Sequence, residues 1–533
     1  ILRIPDVKTG DALIEDKISS ANWKKHIGES ESLFVNATTW AFLLTGKILK
    51  TSKNNSHDLE SAFNGILYNS SKPIIRQAVQ QAIKIISNHF IIANNIEHAL
   101  DKLSKQQKSS AFYSFDMLGE AAITEHDADQ YYNKYLHAIK HIQSFIHNRS
   151  LYDAGISIKL SALHPRYEYS HYESVIMRLY PRLKTLALAA KHAEMNFVID
   201  AEEVDRLELQ LDLFERLCAE PELEGWQGLG LAVQAYQKRA YAVINWLVAL
   251  AQKSKRRIML RLVKGAYWDT EIKRAQVLGL KDYPVFTRKE STDVSFLACA
   301  KKMLSHSDVI YPMFATHNAH SVAAILNFID EDQDFEFQRL YGMGEQLYTL
   351  VTSPDEHALN CRVYAPCGEY QELLPYLVRR LLENGANSSF VNQILDHSIE
   401  PEEVAGNPIQ KLSEYSSFYN PNIPLPAKIY QPHWQNSVGV EVTQEGELIR
   451  LQKTLNQSKN IIWNASSIVN GKVCNGAQED VFNPANLNNK IATVTVATSA
   501  QIAQAIEAAQ QAFPAWNAIA VEKRAEYLLT IAE

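Results

Sequence analysis

Two adjacent arginines and a nearby glutamate fall within one strongly amphipathic segment, Leu373–Glu383. At 3.6 residues per turn, Arg379, Arg380 and Glu383 share an arc of about 100°. The predicted opposite stripe is apolar and consists of Leu374, Leu377, Val378 and Leu381. Two guanidiniums can hold a carboxylate, and a carboxylate one turn away can accept an ammonium. The pattern therefore fits a receptor for an α-amino acid; its alternative is an exposed helix with surface salt bridges.

A second group of polar residues lies inside or just after short apolar segments. In chain order its members are Asp116, Glu120, Lys159, Asp200, Gln234, Arg261, Lys264, His317, Gln338 and Tyr364. Ionisable groups are costly to bury without partners, and they concentrate at functional sites. Taken singly, Lys159 or Arg261 fits a structural ion pair equally well, and His317 fits a structural histidine better than a catalytic base. Taken together, the group predicts one site.

The elements that must position these residues alternate between strands and helices from about residue 111 onward. The candidate strands are Phe112–Met117, Ile156–Leu160, Phe197–Asp200, Leu229–Gln234, Ile258–Val263, Ile310–Thr316, Phe335–Leu340 and Arg362–Ala365. Eight βα repeats in about 280 residues predict an α/β fold with a (βα)₈ barrel. A doubly wound sheet would have fewer strands and a Gly-x-Gly-x-x-Gly turn, which this region lacks. In such a barrel, functional residues lie at the carboxyl ends of the strands.

The segments on either side of the predicted barrel have a different residue pattern. Residues 1–105 predict a helical arm and helical domain, with helices over 11–18, 32–49 and 72–87. We assign residues 106–400 to the barrel, 401–475 to a Pro- and Asn-rich linker and 476–533 to the start of another α/β domain. Because the chain opens with Ile1 and ends inside an uncapped amphipathic helix, we expect a fragment of a longer protein.

Composition narrows the class of protein. The chain has 533 residues, of which 46% are hydrophobic and 21% charged, as in core-building globular proteins of several domains. A net charge of −7 gives no overall attraction for nucleic acid. The five scattered cysteines contain no Cys-x-x-Cys pair, which favours a reducing, cytoplasmic compartment and predicts no metal site. No apolar run approaches the ~18 residues of a membrane span.

Several long motifs resemble one family closely. They are Lys159–Tyr167, Arg261–Asp269, Tyr364–Gly368 and Tyr376–Asn387. These motifs are similar to the proline dehydrogenase domain of the bifunctional proline utilization A flavoenzymes, and the similarity covers essentially the whole chain. The opening Leu2–Asp6 resembles the N-terminal arm of that family. The tail from Val481 resembles the start of its aldehyde dehydrogenase domain, whose catalytic Cys and Glu would lie beyond Glu533.

The resemblance implies a reaction. Family members oxidise L-proline to Δ1-pyrroline-5-carboxylate by hydride transfer to N5 of FAD, and the electrons pass to membrane quinone. This implies a cytoplasmic protein that associates peripherally with the inner membrane, although no basic amphipathic helix is evident here. The full-length parent would also oxidise glutamate semialdehyde to glutamate with NAD. DNA binding by the parent, through the ribbon-helix-helix module of the larger members, and a homo-oligomeric state are left open by this sequence.

The resemblance also implies how the substrate carboxylate is bound. Arg379 and Arg380 would bind it together with Lys159. Glu120 would pair with Arg379 and close the pocket.

The ring and amine of proline would meet a second set of side chains. Glu383 would face the amine, and Tyr364 would pack on the ring near Leu340. Asp200 would lie beside this cluster. No strong base is evident, so we expect proline to lose its proton on binding or to solvent.

Other residues would contact FAD. Arg261 would lie near flavin N5, where a guanidinium offsets negative charge on the reduced flavin, and Gln234 would lie at the ring edge. The phosphate and adenosine side would comprise Val263, Lys264, Gly265 and Trp268. Further contacts would come from Thr287, Lys289, Glu290, His317, Asn318 and Gln338.

Two other functions stay open at this stage. One is a Schiff-base barrel lyase with Lys159 or Lys264 as nucleophile, which would be colourless and would be trapped by borohydride with a carbonyl substrate. The other is an inactive scaffold or regulator. The complete group of polar residues at the predicted strand ends argues against it.

Overall fold

The chain is described here from a computed structural model. The described residues are 6, 8, 9, 90–105, 112–146, 154–330, 333–353, 357, 359–369, 372–385, 405–459 and 461–532. The predicted helices over 11–18, 32–49 and 72–87 lie outside them. The chain divides into two compact units, Ile1–Glu445 and Gly446–Glu533.

Eight parallel strands of the first unit close into a barrel in chain order, with β8 paired to β1. They are β1 Phe112–Met117, β2 Ala154–Ile158, β3 Asn196–Ile199, β4 Leu229–Gln234, β5 Ile258–Val263, β6 Ile310–Ala315, β7 Glu336–Leu340 and β8 Cys361–Cys367. The predicted (βα)₈ barrel is therefore confirmed.

Two site residues lie just past strands that were predicted to contain them. Strand β2 ends at Ile158, and Lys159 follows it because its backbone N–H donates to the Tyr135 hydroxyl (3.1 Å) instead of the strand ladder. Strand β3 ends at Ile199, so Asp200 opens the next loop. Both side chains thereby reach the mouth of the barrel.

Helices follow the strands and cover the outside of the barrel, and α1 precedes β1. They are α1 Ile96–Lys105, α2 Glu125–Ile146, α3 Tyr180–His192, α4 Leu207–Ala219, α5 Ala240–Ser254, α6 Trp268–Leu278, α7 Lys289–Leu304, α8 Ala319–Leu326, α9 Glu345–Thr352 and α10 Leu374–Gly385. Shorter turns of helix are Leu160–Ala162, Tyr169–His171, Tyr172–Ser174, Val175–Leu179, Val204–Arg206, Pro221–Leu223 and Pro426–Lys428.

Side-chain alternation along the strands separates an apolar outside from an inside that carries both polar residues and a small apolar cluster of Val198, Met259, Tyr311 and Met313. In β5, Leu260 and Leu262 belong to the large core under the helices, whereas Arg261 contacts residues of other strands across the barrel. The same period of two puts Phe337 of β7 in the core and Gln338 inside the barrel. Each fully buried apolar side chain stabilises the fold by about 1.5–3 kcal/mol. The apolar layer thus supports an interior that is free to carry charge.

The remaining elements follow the barrel in sequence. They are α11 Pro408–Ser413, α12 Glu445–Ser458, β9 Trp463–Ser466, β10 Ile468–Val469, β11 Lys472–Val473, β12 Gln478–Asn483, β13 Asn486–Thr495, α13 Ser499–Ala518 and α14 Val521–Ala532. In the second unit, β13 pairs antiparallel with β12 and parallel with β9. The stretch 401–475, predicted as a linker, therefore contains helices and short strands as well as Pro-rich chain. Among the described residues, no helix is long and apolar enough to cross a membrane.

Candidate active site

Lys159 is the centre of a buried group of charges at the carboxyl end of the barrel. Its Nζ donates to Oδ1 and Oδ2 of Asp116 (2.9 and 3.0 Å) and to Oδ2 of Asp200 (2.9 Å). The hydroxyl of Tyr364 lies 3.2 Å from the same Nζ and donates to Asp200 Oδ2 at 2.6 Å. One ammonium, two carboxylates and a phenol thus hold one another in place.

Arg261 extends this group across the barrel. Its NH1 donates to Asp200 Oδ1 and its Nε to Gln338 Oε1, both at 2.7 Å, and its NH2 donates to Ser157 Oγ at 2.8 Å. Its guanidinium carbon lies 5.1 Å from the centre of the Tyr364 ring. We call Asp116, Lys159, Asp200, Arg261 and Tyr364 the strand network, because each projects from a strand or the residue just after one.

Burial and charge act against each other in the strand network. Burial raises the pKa of Asp116, and the Asp200 charge raises it further, so the pKa stays above its ordinary value despite Lys159. Burial also raises the pKa of Asp200, but the charges of Lys159 and Arg261 outweigh this effect and lower it. Burial lowers the pKa of Lys159, yet Asp116, Tyr364 and Asp200 raise it well above its ordinary value. The two carboxylates and the phenol therefore favour the charged form of Lys159.

A second ion pair joins α10 to the loop after β1. Arg379 donates from NH1 and NH2 to the two carboxylate oxygens of Glu120 at 2.6 and 2.8 Å. Burial raises the pKa of Glu120, but the hydrogen bond and charge of Arg379 lower it below its ordinary value. The Arg379 guanidinium also lies 5.3 Å from the Tyr267 ring centre. We call Glu120 and Arg379 the α10 pair.

The covered face of α10 differs from the predicted stripe. Val378, predicted to be apolar and covered, is 44% exposed, and Arg380, predicted on the opposite side, is 8% exposed. The covered side is Leu373, Tyr376, Leu377 and Arg380, which follow the i, i+3, i+4, i+7 spacing of one helix face. Because the Arg380 guanidinium lies 5.3 Å from the Tyr376 ring centre, it is part of this face, so α10 is not an exposed salt-bridged helix.

An apolar wall stands beside the two arginines. Leu340 and Tyr364 pack against a cluster made up of Phe90, Ile91, Leu118, Met343, Leu373, Tyr376 and Leu377. This wall brings the predicted ring contacts, Leu340 and Tyr364, next to α10. Glu383 belongs to α10, but its side chain lies outside the described part of the structure.

Positive charge gathers at the N-terminus of α7. The Lys264 ammonium contacts Asp293 Oδ1, and the Lys289 ammonium lies 3.9 Å from Oδ2 of the same residue. Burial, together with the neighbouring Lys264 charge, lowers the pKa of Lys289 despite Asp293. Two ammoniums thus share one carboxylate at a helix end that already favours anions.

The turn from β5 into α6 brings the backbone close to a neighbouring ring. Gly265 has φ +135°, and a Cβ there would lie 2.5 Å from the ring of Tyr236. Only glycine fits this position. Nearby, the indole N–H of Trp268 donates to the Phe286 carbonyl at 2.8 Å.

The other predicted FAD contacts occupy several different environments. Gln234 donates to the Glu202 carbonyl at 2.7 Å, and Thr287 Oγ1 accepts from the Asn420 backbone N–H at 3.0 Å. Glu290 accepts from the Tyr415 hydroxyl at 3.3 Å. The hydrogen bonds of these three side chains therefore go to other loops and to backbone rather than to the strand network, and Val263 lies opposite Gln234 in the pairing of β4 with β5.

Two neighbours after β6 have clear local roles. The backbone N–H of Leu340 donates to His317 Nε2 at 3.1 Å. Asn318 caps α8, because its Oδ1 accepts from the Ser321 backbone N–H at 2.9 Å. His317 is thus a hydrogen-bonded histidine beside the apolar wall.

Sequence reasoning assigned no role to three members of this region. Asp116 was noted at a strand end, but Ser157 and Tyr135 were missed, although they contact Arg261 and Lys159. Ser157 shows the available signal, since a polar residue between Ile156 and Ile158 must point into the barrel when its neighbours point out. The Tyr135 contact has no such signal, because it depends on how α2 packs against the end of the strand that follows it.

Three family models match separate stretches of the chain. A model described as proline dehydrogenase matches residues 99–393, which is more than half of it. A model described as the DNA-binding domain of proline dehydrogenase matches residues 1–90. A model of the aldehyde dehydrogenase family matches residues 473–533.

Individual relatives agree with these models. The chain is 47% identical to the bifunctional protein PutA of Klebsiella aerogenes over 541 residues, covering 99% of this chain and 41% of that protein. It is 26% identical to proline dehydrogenase 1 of Bacillus subtilis (strain 168), covering 61% of this chain and 96% of that protein. The chain therefore spans about two fifths of the length of the PutA relative.

A solved structure agrees as well. The crystal structure of proline utilization A from Bdellovibrio bacteriovorus inactivated by N-propargylglycine matches with a TM-score of 0.77 at 26% identity. That match covers 98% of this chain and 56% of the other. All eight barrel strands, the strand network and the α10 pair fall inside the residues matched by the proline dehydrogenase model. The chain belongs to the proline dehydrogenase family.

Proposed function

We propose that the barrel binds FAD and oxidises L-proline to Δ1-pyrroline-5-carboxylate. The observation that carries this proposal is that two groups of cations, one in the strand network and one on α10, lie at the same end of the barrel. The strand network holds Arg261 rigidly inside the barrel. The α10 face offers Arg379 and Arg380 beside the apolar wall. A small zwitterion with an apolar ring needs this combination of groups.

The α10 arginines are the proposed carboxylate site. A guanidinium pair binds a carboxylate bidentately, and the aromatic neighbours of Arg379 and Arg380 restrict how the guanidiniums turn. Glu120 accepts hydrogen bonds from both terminal nitrogens of Arg379, NH1 and NH2, so a substrate carboxylate would compete with Glu120 for this arginine. We therefore assign the α10 pair the role of closing the pocket, with Glu383 of the same helix facing the amine.

Lys159 acts on the substrate through its neighbours. Its Nζ already contacts Asp116, Asp200 and Tyr364, and these contacts fix the Tyr364 hydroxyl and ring. Its charge adds to the positive field that a carboxylate meets. Asp200 in turn positions Arg261.

The residues of the barrel fit FAD at two points. The ammonium pair of Lys264 and Lys289 at the N-terminus of α7 suits a diphosphate, and Gly265 leaves the backbone accessible beside it. Arg261 suits the isoalloxazine end, where its fixed guanidinium offsets negative charge. The remaining proposed cofactor contacts are Val263, Trp268, Gln234, Thr287, Glu290, His317, Asn318 and Gln338. When bound, FAD supplies the two-electron acceptor, taking hydride from proline C5 at its N5.

The chain's own residues orient proline and manage its charge. The neighbours of Lys159 favour its protonated form, which cannot accept a proton. The two carboxylate oxygens of Asp200 already accept hydrogen bonds from Lys159, Tyr364 and Arg261, so neither residue is a free base for the amine. We propose that proline loses its amine proton on binding or to solvent. Leu340 and Tyr364 hold the ring and exclude water from that side.

The same observations disfavour a Schiff-base lyase. A nucleophilic lysine must be a neutral amine, and the carboxylates around Lys159 stabilise its charged form. Lys264 is held by Asp293.

For the whole protein we propose further partners and activities. The electrons pass to membrane quinone, and the protein is cytoplasmic with peripheral contact to the inner membrane. The aldehyde dehydrogenase match at residues 473–533 supports NAD-dependent oxidation of glutamate semialdehyde by the longer protein. The match at residues 1–90 supports DNA as a further partner.

The test is product formation with an artificial electron acceptor. The chain, reconstituted with FAD, is incubated with L-proline, and pyrroline-5-carboxylate is trapped with o-aminobenzaldehyde. We expect product from L-proline and little from pyrrolidine, which has the ring but no carboxylate. Equal rates with both compounds would overturn the carboxylate site, and no product from proline would overturn the function.

A further inference from the structure

We infer that Glu97, His137 and His141 form a binding site for Zn²⁺ or a similar divalent transition metal, on the outside of the barrel between α1 and α2. His137 and His141 are four residues apart on α2 and therefore share one face of that helix. Glu97 comes from the first turn of α1. One ligand atom from each residue lies within 4.8 Å of the other two.

The hydrogen bonds of the cluster prepare it for a metal. Nδ1 of His141 lies 2.9 Å from the His137 carbonyl oxygen, which can only accept, so Nδ1 carries the proton. The neutral ring then has its lone pair on Nε2, the atom that lies 3.6 Å from Glu97 Oε1. A metal-bound histidine commonly has its other nitrogen fixed in this way by a carbonyl or carboxylate.

The spacing suits a tetrahedral ion with small adjustments. Zinc–nitrogen and zinc–oxygen bonds of about 2.0–2.2 Å place neighbouring ligand atoms about 3.3–3.5 Å apart. The distance between His141 Nε2 and Glu97 Oε1, 3.6 Å, is within about 0.3 Å of this range. His137 Nε2 lies 2.5 Å from Glu97 Oε1 and must move out by about 1 Å when a metal replaces the proton between them. The side chains are 35–53% exposed, so an ion can enter and water can complete its coordination.

The site would join α2 to α1, the helix whose preceding segment reaches the apolar wall. The segment ahead of α1 contacts β8, because the Ile92 backbone N–H donates to the Pro366 carbonyl at 3.0 Å. Lys102 of α1 donates to the hydroxyl of Tyr341, which follows β7. A metal linking α1 to α2 would therefore hold in place the segment that brings Phe90 and Ile91 to the wall.

The test is zinc binding to the full 533-residue chain after treatment with EDTA and desalting. Isothermal titration with ZnCl₂ is expected to show a saturable site that is weakened at least about tenfold in His137→Ala, His141→Ala and Glu97→Gln, since each removes one of three ligands. Zinc is expected to raise the Tm of the wild type by a few degrees, and EDTA to reverse the rise. Co²⁺ in place of Zn²⁺ should give the visible absorption of a four-coordinate site.

His126→Gln is the matched control, because His126 is on the same helix and bonds only to Gln130 among the hydrogen bonds of the described residues. This variant should bind zinc like the wild type. Equal zinc affinity in the wild type and in all three ligand variants would overturn the site, and so would a loss in His126→Gln as large as theirs. Proline oxidation assayed without added zinc should be the same in every variant, so this test stands apart from that of the proposed function.

Discussion

Two groups of charges meet at one end of the barrel and are held in opposite ways. Every member of the strand network comes from a strand or the residue next to one, whereas the α10 pair joins a helix to a loop. Strand register fixes the first group, since Asp116 of β1 sits opposite Ser157 of β2 in the ladder. The α10 pair can separate without breaking any strand pairing. We interpret the strand network as a fixed frame and the α10 pair as the part that responds to substrate.

The contrast is also energetic. In the strand network each buried charge has several partners, so removing one partner leaves another charge uncompensated. In the α10 pair, the side chains are 13% and 19% exposed, so a freed charge can meet water or substrate. The strand network should therefore determine stability, and the α10 pair substrate affinity.

The largest effect is expected from Lys159→Met, which tests the frame itself. Without the ammonium, Asp116 and Asp200 face each other buried and like-charged, so the free energy of unfolding should fall by about 3–5 kcal/mol. Proline turnover should fall with it. Thermal and urea denaturation measure the loss.

Lys253→Met is the control for this change, because Lys253 is 76% exposed and pairs with Glu215 at the surface. It should shift stability by less than about 0.5 kcal/mol. If Lys159→Met were as stable as Lys253→Met, the strand network would not be a frame.

The next largest effect is expected from two substitutions on α10. Arg379→Met changes a member of the α10 pair, and Arg380→Met changes the arginine on the covered face of the same helix. Each removes charge-assisted hydrogen bonds of about 1.5–3 kcal/mol to the substrate carboxylate, so the KM for proline should rise about 10- to 150-fold. The flavin spectrum should be unchanged. Arg178→Met, at an exposed arginine paired with Glu125, should leave KM unchanged. Proline kinetics equal to wild type in both α10 variants would remove the carboxylate assignment.

Tyr364 belongs to the strand network and also packs on the apolar wall beside α10. Its substitution should therefore change substrate selectivity. In Tyr364→Ser the ring leaves the wall, so hydroxyproline should gain several-fold in kcat/KM relative to proline. Tyr364→Phe keeps the ring and loses only the hydroxyl contacts to Asp200 and Lys159. Its hydroxyproline-to-proline ratio should match wild type. An unaltered ratio in the serine variant would count against the ring contact.

The smallest effect concerns Glu271, a buried carboxyl outside both groups. Burial raises its pKa to about 7, and Oε1 accepts from the Val204 backbone N–H at 2.8 Å. Because the folded state favours the protonated form, its contribution to stability is complete below pH ~4.5 and is lost as pH rises through about 7. Glu271→Gln keeps the acceptor without a charge, so it should be more stable than wild type by about 1–3 kcal/mol at pH 8 and about equal to it at pH ~4. Equal stability at pH 8 would contradict the raised pKa.

The sequence predicted the barrel because apolar strands alternating with amphipathic helices are a local pattern repeated eight times. It also predicted that polar residues at strand ends would meet, which follows from the barrel itself. It could not show that Lys159 is saturated by Asp116, Asp200 and Tyr364, since those contacts depend on strand register and side-chain reach. For the same reason it put Val378 on the covered face of α10, where the fold places Arg380.

The most direct test of the central claim is the visible spectrum of the FAD-reconstituted chain before and after anaerobic addition of L-proline. The account predicts visible flavin absorbance that bleaches with proline and does not bleach with pyrrolidine. A flavin spectrum unaffected by proline would keep the cofactor and discard the substrate. A protein that stays colourless after incubation with FAD would contradict the account and return the Schiff-base lyase to consideration.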